Sequence, residues 1–235
     1  MPRAKPVAKA GPAATTRAIL FDLDNTLIDF MRMKRLSCEA AVDAMIKAGL
    51  KADRKRTLDL LFDLYDRHGY EYKGVFQDLM KEMTGNVDYG IVGAGIVAYR
   101  KAREGLLVSY PDVLPTINAL RRKGIKLAIV TDAPRIEAWI RLAAIGIQNR
   151  FDAVIAFDDS RVKKPSLKPL RMALRRLRVK SPHDAMVVGD SMSKDMVPAS
   201  KMGMKSVLAE YGRYKKAKGK TDHRIKRFRE LLNLV

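Results

Sequence analysis

The sequence of 235 residues predicts an α/β fold, in which a doubly wound parallel sheet is interrupted by an inserted α-helical cap subdomain. Two observations lead to this fold class. In the second half of the chain, short apolar runs of strand length alternate with amphipathic segments of helical length, as in strands joined by crossover helices. Between the first and second apolar runs lies a stretch that is helical throughout and far longer than one crossover needs.

Five apolar runs are short enough to be strands that a parallel sheet buries on both faces. They are AILFDL near 18–23, KLAIVT near 126–131, AVIAF at 153–157, AMVVGD at 185–190 and SVLA at 206–209. We expect all five to lie in one sheet.

Four further segments predict helices that pack on this sheet, at 112–123, 134–145, 166–177 and 195–202. Gly124, Gly146 and Gly203 follow three of them, which is typical of helix ends. Pro198 lies inside the fourth segment, and proline is tolerated only in the first turn of a helix. We therefore expect this helix to begin near Asp195.

The stretch between the first two strands predicts four more helices, at 32–48, 54–67, 73–83 and 88–103. Glycines interrupt the pattern between them, at Gly49, Gly69 and Gly85. Gly93 and Gly95 lie inside the last segment and predict a tight contact between helices, because no strand precedes them as it would in a phosphate loop.

These elements divide the chain into three parts. Residues 16–30 and 106–235 are expected to form the catalytic core, and residues 31–105 the helical cap. Residues 1–15 are rich in Ala, Pro and Lys, and we expect them to be a disordered basic tail.

Composition excludes several classes of protein. No apolar run approaches the roughly 18–20 residues that span a bilayer, so no membrane partner is expected. No compact apolar stretch near the start indicates a secretory signal. A single cysteine, Cys38, cannot form an internal disulfide, which fits a reducing cytoplasmic location.

The formal net charge of +20 is the least ordinary bulk property. It fits nucleic-acid affinity, attraction of anionic substrates, or an adaptation of the whole proteome. Much of the charge lies at 1–17 and 213–229, where a solvated surface is the simplest interpretation.

Acidic residues follow four of the five predicted strands. They are Asp22 and Asp24, Asp132 (after Thr131), Asp158 and Asp159, and Asp190. Ligands of open α/β sheets bind at the carboxyl ends of the strands, where these side chains should converge. Converging carboxylates repel each other unless a cation lies among them, and hard oxygen ligands suit Mg²⁺. The pattern therefore predicts a magnesium site with a nearby lysine, Lys164.

FDLDNTL, residues 21–27, resembles the first motif of the haloacid dehalogenase superfamily, an Asp-x-Asp followed by Gly or Asn and by Thr or Val. Three further motifs follow in order: Thr131 at the end of KLAIVT, Lys164 at the start of KPSLKPL, and GDSMSKD at 189–195. The resemblance covers about residues 17–235 and implies a Rossmann-like core with a helical cap.

The resemblance also implies catalytic roles. Asp22 is the expected nucleophile that forms an aspartyl-phosphate, and Asp24 is the expected general acid and then base. Lys164 is expected to neutralise Asp22 and the phosphate, while Thr131 and the amide of Asp132 bind phosphoryl oxygens.

By the same resemblance, Mg²⁺ is expected to be held by the carboxylate of Asp22, the backbone carbonyl of Asp24 and Asp190. Asp195 is expected to be a further ligand or an acid that orients the site.

The acid at Asp24 favours phosphoryl transfer over dehalogenation, because a halide leaving group needs no proton. Leu23 stands where P-type ATPases carry a lysine, and their membrane spans are absent from the sequence. The expected activity is therefore Mg²⁺-dependent hydrolysis of a small phosphate monoester, although a phosphomutase shares the motifs.

Two longer blocks, VKKPSLKPLRMALRRL and GDSMSKDMVPASKMGMKSV, resemble archaeal-type phosphatases named for glyceraldehyde 3-phosphate. The resemblance implies a sugar or triose phosphate as substrate. The chain departs from these relatives at Ser166 and Leu167, where His-Pro is common. The cap is expected to select the substrate, and the chain to be a monomer or homodimer. A basic nucleic-acid-binding protein with weak or no catalysis is the alternative from another class.

Overall fold

The computed structural model describes residues 16–214 and 218–235. The tail predicted at 1–15 lies outside these residues. Within them, parallel strands form one sheet, composed of β1 (Ala18–Phe21), β2 (Lys126–Val130), β3 (Ala153–Ile155), β4 (Ala185–Gly189), β5 (Lys205–Ala209) and β6 (His223–Ile225). The order across the sheet is β3-β2-β1-β4-β5-β6, and neighbouring strands pair in parallel. The predicted α/β class is confirmed.

Four of the five predicted strands extend too far at their carboxyl ends, whereas β5 ends at the predicted residue. β1 ends at Phe21 because the chain leaves the sheet where the acids begin. β3 ends at Ile155, since Asp159 accepts a hydrogen bond from the Ala156 amide and closes a short helix, α7 (Phe157–Ser160). The strand β6, which the apolar runs did not predict, adds an edge beside β5.

Helices cover both faces of the sheet. They are α5 (Val113–Arg122), α6 (Arg135–Ala144), α8 (Lys168–Arg176) and α9 (Val197–Lys201). The alternation along β1 shows the two layers: Ile19 and Phe21 pack in one hydrophobic cluster, whereas Ala18 and Leu20 pack in the other. This is the packing of a doubly wound sheet.

The helix predicted at 195–202 differs from the observed structure. A π-helical turn, Met192–Met196, precedes α9, which places Pro198 in the first turn of the α-helix. Proline lacks an N–H to donate, so this position leaves the hydrogen-bond ladder intact.

Between β1 and β2 the chain forms four helices close to the predicted bounds: α1 (Phe30–Lys47), α2 (Arg54–His68), α3 (Val75–Thr84) and α4 (Tyr89–Leu106). We call them the helical insert. They bury their own cluster of apolar side chains, separate from the two clusters at the sheet. Gly95 lets α4 approach α1, because a Cβ there would lie 2.7 Å from the Met45 side chain, whereas Gly93 faces open space.

The direction in which successive strands are added to the sheet reverses at β1. From this strand, β2 and β3 extend the sheet to one side, and β4, β5 and β6 extend it to the other. Such a switch point leaves a crevice at the carboxyl ends of the strands. The residues after β1, β2 and β4 border this crevice.

Candidate active site

Lys164 lies at the centre of the acidic crevice. Its Nζ donates to Asp22 Oδ1 at 2.7 Å and to Asp195 Oδ1 at 2.6 Å, and its side chain is 4% exposed. Its backbone N–H donates to Asp132 Oδ1 at 2.8 Å, which ties the loop after α7 to the end of β2. Lys164 of the third motif thus forms direct hydrogen bonds to the first motif and to the fourth, and connects the two.

Burial and charge oppose each other in this cluster. Burial alone lowers the pKa of Lys164, but Asp195, Asp22 and Asp132 outweigh it and raise the pKa above its ordinary value. Burial raises the pKa of Asp195 to about 6, although Lys164 opposes this shift. Lys164 therefore stays charged and is the cation that allows the acids to approach each other.

Asp190 completes a group that can hold a divalent ion. Carboxylate oxygens of Asp22, Asp190 and Asp195 lie within 4.8 Å of one another. Burial, followed by repulsion from Asp22 and Asp195, raises the pKa of Asp190 to about 8. The ionised form of Asp190 needs a nearby positive charge. Because the three candidate ligands are all carboxylate oxygens, Mg²⁺ fits as that counter-ion.

Gly189, at the end of β4, makes room for this group. A Cβ at Gly189 would lie 2.4 Å from Cγ and Oδ2 of Asp195, a distance that atoms do not reach without displacement. Both oxygens of Asp195 already accept hydrogen bonds, from Lys164 Nζ and from the Ser191 amide. The glycine of the fourth motif is thus required by the close approach of the last aspartate of that motif.

The end of β2 contributes a hydroxyl and a second acid. Thr131 is buried, and its Oγ1 accepts from the Ala133 amide at 3.1 Å. Asp132 Oδ2 lies 3.5 Å from Lys194 Nζ. In this bond the Thr131 hydroxyl is the acceptor, so the bond does not use its proton.

Asp24 has two differently placed carboxylate oxygens. Oδ2 accepts from Arg141 Nη1 at 2.8 Å, whereas Oδ1 is buried and has no hydrogen-bond partner among the described residues. Burial raises the pKa of Asp24 to about 7, with Arg141 opposing the shift and Asp22 and Glu71 adding to it. Asp24 can therefore hold or release a proton near neutral pH.

Not every predicted acid reaches this site. Asp158 accepts from the Arg135 amide, and Asp159 pairs with Arg135 and Arg176 on neighbouring helices. These two acids therefore stabilise the contacts between α6, α7 and α8. They do so because the chain forms α7 at residues where the prediction continued β3.

Sequence reasoning missed Arg141. It lies on α6 beside Ala138 and Leu142, on the face that the helix buries. An arginine at a core-facing helical position is rare unless it is paired, and this was the available signal. Its second partner, Glu71, lies in the loop between α2 and α3, which no local pattern connects to α6.

These features define the chain as an α/β enzyme with a carboxylate-based active site. The chain belongs to the haloacid dehalogenase-like hydrolase family, whose model matches residues 16–203. The family predicted from the four motifs is confirmed, as is the enzyme class of a phosphoric monoester hydrolase of that superfamily.

Relatives and solved structures agree with this assignment. The glyceraldehyde 3-phosphate phosphatase of Methanocaldococcus jannaschii is 33% identical, over 93% of this chain and 96% of the relative. The phosphoglycolate phosphatase of Nitrosospira multiformis is 29% identical, over 83% of this chain and 84% of the relative. A phosphatase structure from Thermococcus onnurineus is 26% identical, with a TM-score of 0.66, over 93% and 97% of the two chains.

In the part of the chain that the structure describes, no helix has the length and apolarity needed to cross a membrane.

Proposed function

We propose that the protein is a Mg²⁺-dependent phosphatase that hydrolyses a small phosphate monoester through an aspartyl-phosphate on Asp22. The observation that carries this proposal is the buried contact of Lys164 with both Asp22 and Asp195, beside the carboxyl of Asp190, whose pKa is raised by burial and by these acids. This contact supports a nucleophile and a cation in one crevice, with carboxylates that could hold a second cation.

In the first half-reaction a carboxylate oxygen of Asp22 attacks phosphorus. The bond between phosphorus and the ester oxygen breaks, and the proton on Asp24 moves to the departing oxygen. Lys164 and the Thr131 hydroxyl stabilise the negative charge of the phosphoryl oxygens. The products of this step are an alcohol and the acyl phosphate on Asp22.

In the second half-reaction Asp24, now a carboxylate, takes a proton from water as the water oxygen attacks phosphorus. The bond between phosphorus and Asp22 breaks, which releases inorganic phosphate and restores the free carboxylate. Asp24 ends the cycle protonated, and its pKa of about 7 suits both directions of proton transfer.

The residues that would hold Mg²⁺ are Asp22 and Asp190, with the backbone carbonyl of Asp24. Both oxygens of Asp195 are already hydrogen-bonded, which supports an orienting role for this acid more than direct ligation. When bound, the ion supplies positive charge that lowers the repulsion between the nucleophile and the phosphate dianion.

The proposed substrate class is a small sugar or triose phosphate. Several relatives at 30–33% identity over most of the chain are named glyceraldehyde 3-phosphate phosphatases, and this supports that ester as the first candidate. Phosphoglycolate, named in more distant relatives, is the second.

The test is phosphate release from para-nitrophenyl phosphate, glyceraldehyde 3-phosphate and phosphoglycolate, with Mg²⁺ and with EDTA. We expect metal-dependent turnover in the wild type and a loss of at least about 10³-fold in Asp22→Asn, because the nucleophile is removed. A phosphorylated protein trapped by acid quench should appear in the wild type and be absent from Asp22→Asn.

Asp158→Asn is the matched control, because Asp158 follows a strand at the same sheet edge but braces α6. It should retain wild-type turnover. Equal rates in Asp22→Asn and Asp158→Asn would disprove the proposed nucleophile, and turnover that EDTA leaves unchanged would disprove the metal dependence.

A further inference from the structure

Arg141 is a buried cation that the mechanism above does not use. Its side chain is 1% exposed, although it carries a full charge. Burying a charge is costly unless it is paired and hydrogen-bonded. Arg141 pairs with two carboxylates, Asp24 through Nη1 and Glu71 through Nη2, whereas its buried Nε has no hydrogen-bond partner among the described residues.

The two carboxylates come from different regions of the molecule. Asp24 follows β1 at the edge of the sheet, whereas Glu71 lies in the helical insert between α2 and α3. Phe30, the first residue of α1, places its ring 4.6 Å from the guanidinium carbon. One planar cation is therefore fixed on one side by the insert and on the other by the first motif.

The contact distinguishes the two oxygens of the Asp24 carboxyl. Because Arg141 occupies Oδ2, the side chain is held with Oδ1 buried and without a partner. An unpartnered buried oxygen is unfavourable in the free protein, and a ligand that supplies a hydrogen-bonding atom removes the penalty.

We propose that Arg141 is a positioning residue that directs Asp24 Oδ1 at the leaving-group oxygen, and that Glu71 makes this alignment depend on the position of the helical insert. The proposal rests on the proposed phosphatase function. Displacing the insert removes Glu71 and Phe30 from Arg141, and the guanidinium loses the partners that set its orientation. Asp24 then loses its alignment as well, so the rate of proton transfer from Asp24 depends on the position of the helical insert.

A second ion pair joins the same two regions and provides a control. Arg103 of α4 pairs with Glu137 of α6, one turn before Arg141 on the same helix. This pair bridges the insert and the sheet region but does not contact Asp24. Arg141→Met and Arg103→Met therefore both remove a bridge, and only the first alters the support of the general acid.

The experiment compares two leaving groups. Para-nitrophenolate departs without needing a proton, whereas the alkoxide of an alkyl phosphate requires one. The alkyl substrate is the ester of the panel above that the wild type hydrolyses fastest. We expect Arg141→Met to lower kcat on the alkyl ester at least about tenfold more than kcat on para-nitrophenyl phosphate, with little change in KM, since misalignment weakens general-acid catalysis.

Two comparisons decide the result. Arg103→Met should affect both substrates equally. In an Asp24→Asn background, Arg141→Met should change neither rate by more than about threefold, because residues that act as one unit are not additive. Equal losses on both leaving groups, or full additivity with Asp24→Asn, would overturn the proposal.

Glu71→Gln tests the same idea without removing the buried arginine. The Glu71 side chain is 35% exposed, so we expect Glu71→Gln to fold even if Arg141→Met does not. In this variant, kcat on the alkyl ester should fall about three- to tenfold more than kcat on para-nitrophenyl phosphate, because the charge that orients Arg141 is lost. Glu82→Gln, which loses a pair with Arg67 inside the insert, should show no such preference.

An unchanged preference in Glu71→Gln would overturn the coupling to the insert. A wild type that hydrolyses both esters while no variant changes the preference would overturn the role of Arg141 and leave the phosphatase proposal intact. A wild type that hydrolyses neither ester would overturn both.

Discussion

The sheet region and the helical insert each bury a lysine, and the two lysines have opposite surroundings. Lys164 donates to two carboxylates at the sheet edge, and its pKa is raised. Lys34 on α1 donates to the Tyr70 carbonyl and to the Tyr99 hydroxyl, with its ammonium 3.8 Å from the centre of the Tyr65 ring. Burial lowers the pKa of Lys34 to about 8.

The difference shows how the two regions use charge. At the sheet edge, like charges are concentrated and a cation is needed to hold them, which is a condition for chemistry on an anionic substrate. In the insert, the ammonium of Lys34 contacts aromatic rings and neutral oxygens directly, and none of the ion pairs of the described residues includes it. Substitutions at the sheet edge should therefore affect catalysis most, and those in the insert should affect folding.

The largest effect is expected from Lys164→Met. Removing the ammonium leaves Asp22 and Asp195 buried without their shared partner, and breaking such a pair costs about 3–5 kcal/mol of stability. We expect kcat/KM for para-nitrophenyl phosphate to fall by at least about 10²-fold at saturating Mg²⁺, because the electrostatic stabilisation of the phosphoryl group is lost. Steady-state kinetics and thermal unfolding measure the two effects.

Lys168→Met is the control for this variant, since Lys168 is an exposed lysine at the start of the following helix. It should leave both activity and stability close to wild type. Activity of Lys164→Met within tenfold of wild type would show that the sheet-edge cation is dispensable.

Gly189→Ala should have the next largest effect. The added Cβ collides with Asp195, which is held by Lys164 and by the Ser191 amide and so has no free space to move into. A displacement of about 1 Å at a catalytic centre can cost about 10²-fold in rate. We expect kcat to fall between about ten- and 100-fold, with the fold retained, as measured by kinetics and circular dichroism. Wild-type kcat in Gly189→Ala would show that Asp195 can shift without loss.

The sequence predicts most of the site at the sheet edge because its residues belong to continuous motifs at strand ends. Asp22 and Asp190 lie close together because parallel strands bring their carboxyl ends to one edge, and Lys164 joins them from the loop after α7. Asp158 and Asp159 show where this rule fails, because the Ala156 amide donates a local hydrogen bond to Asp159 and the chain turns into a helix there.

Contacts between the insert and the sheet region could not be predicted in the same way. Arg141 and Glu71 are 70 positions apart, and their contact depends on how the helical insert sits on α6. No periodicity or motif encodes that placement. The division into a core and a cap at 31–105, and the roles assigned to the site residues, remain predictions that the variants above address.

Lys34→Met should reveal a pH dependence that belongs to the insert. A pKa of about 8 in the folded protein, against an ordinary value of 10.5, means that the unfolded chain binds more protons between these values. The free energy of unfolding contributed by Lys34 therefore rises as pH increases from about 8 to 10.5, by at most about 1.4 kcal/mol per pH unit. Lys34→Met should lack this rise.

Urea unfolding at pH 7, 8, 9 and 10 measures the difference between the two proteins. The wild type should gain stability relative to Lys34→Met as pH increases. A wild type that loses stability relative to Lys34→Met as pH increases would mean that Lys34 has a carboxylate partner in solution. Lys34 and Lys164 would then not differ in their surroundings.

The smallest effect is expected from Gly95→Ala, which is the counterpart in the insert of Gly189→Ala at the sheet edge. The new Cβ would lie 2.7 Å from Met45 Cγ and 2.9 Å from its Sδ, but these atoms belong to an unbranched side chain that can change rotamer. Alanine also favours a helix over glycine by about 1 kcal/mol, which offsets the strain. We expect the free energy of unfolding to stay within about 1 kcal/mol of wild type and kcat to be unchanged.

Gly93→Ala separates these two contributions, because a Cβ at Gly93 meets no atom within 4 Å. It should stabilise the protein by up to about 1 kcal/mol through helix propensity alone. The difference between the two alanine variants in urea unfolding is then the cost of crowding Met45. If Gly95→Ala lost more than about 3 kcal/mol relative to Gly93→Ala, the insert would be packed as rigidly as the sheet edge, and overpacking rather than charge would govern both regions.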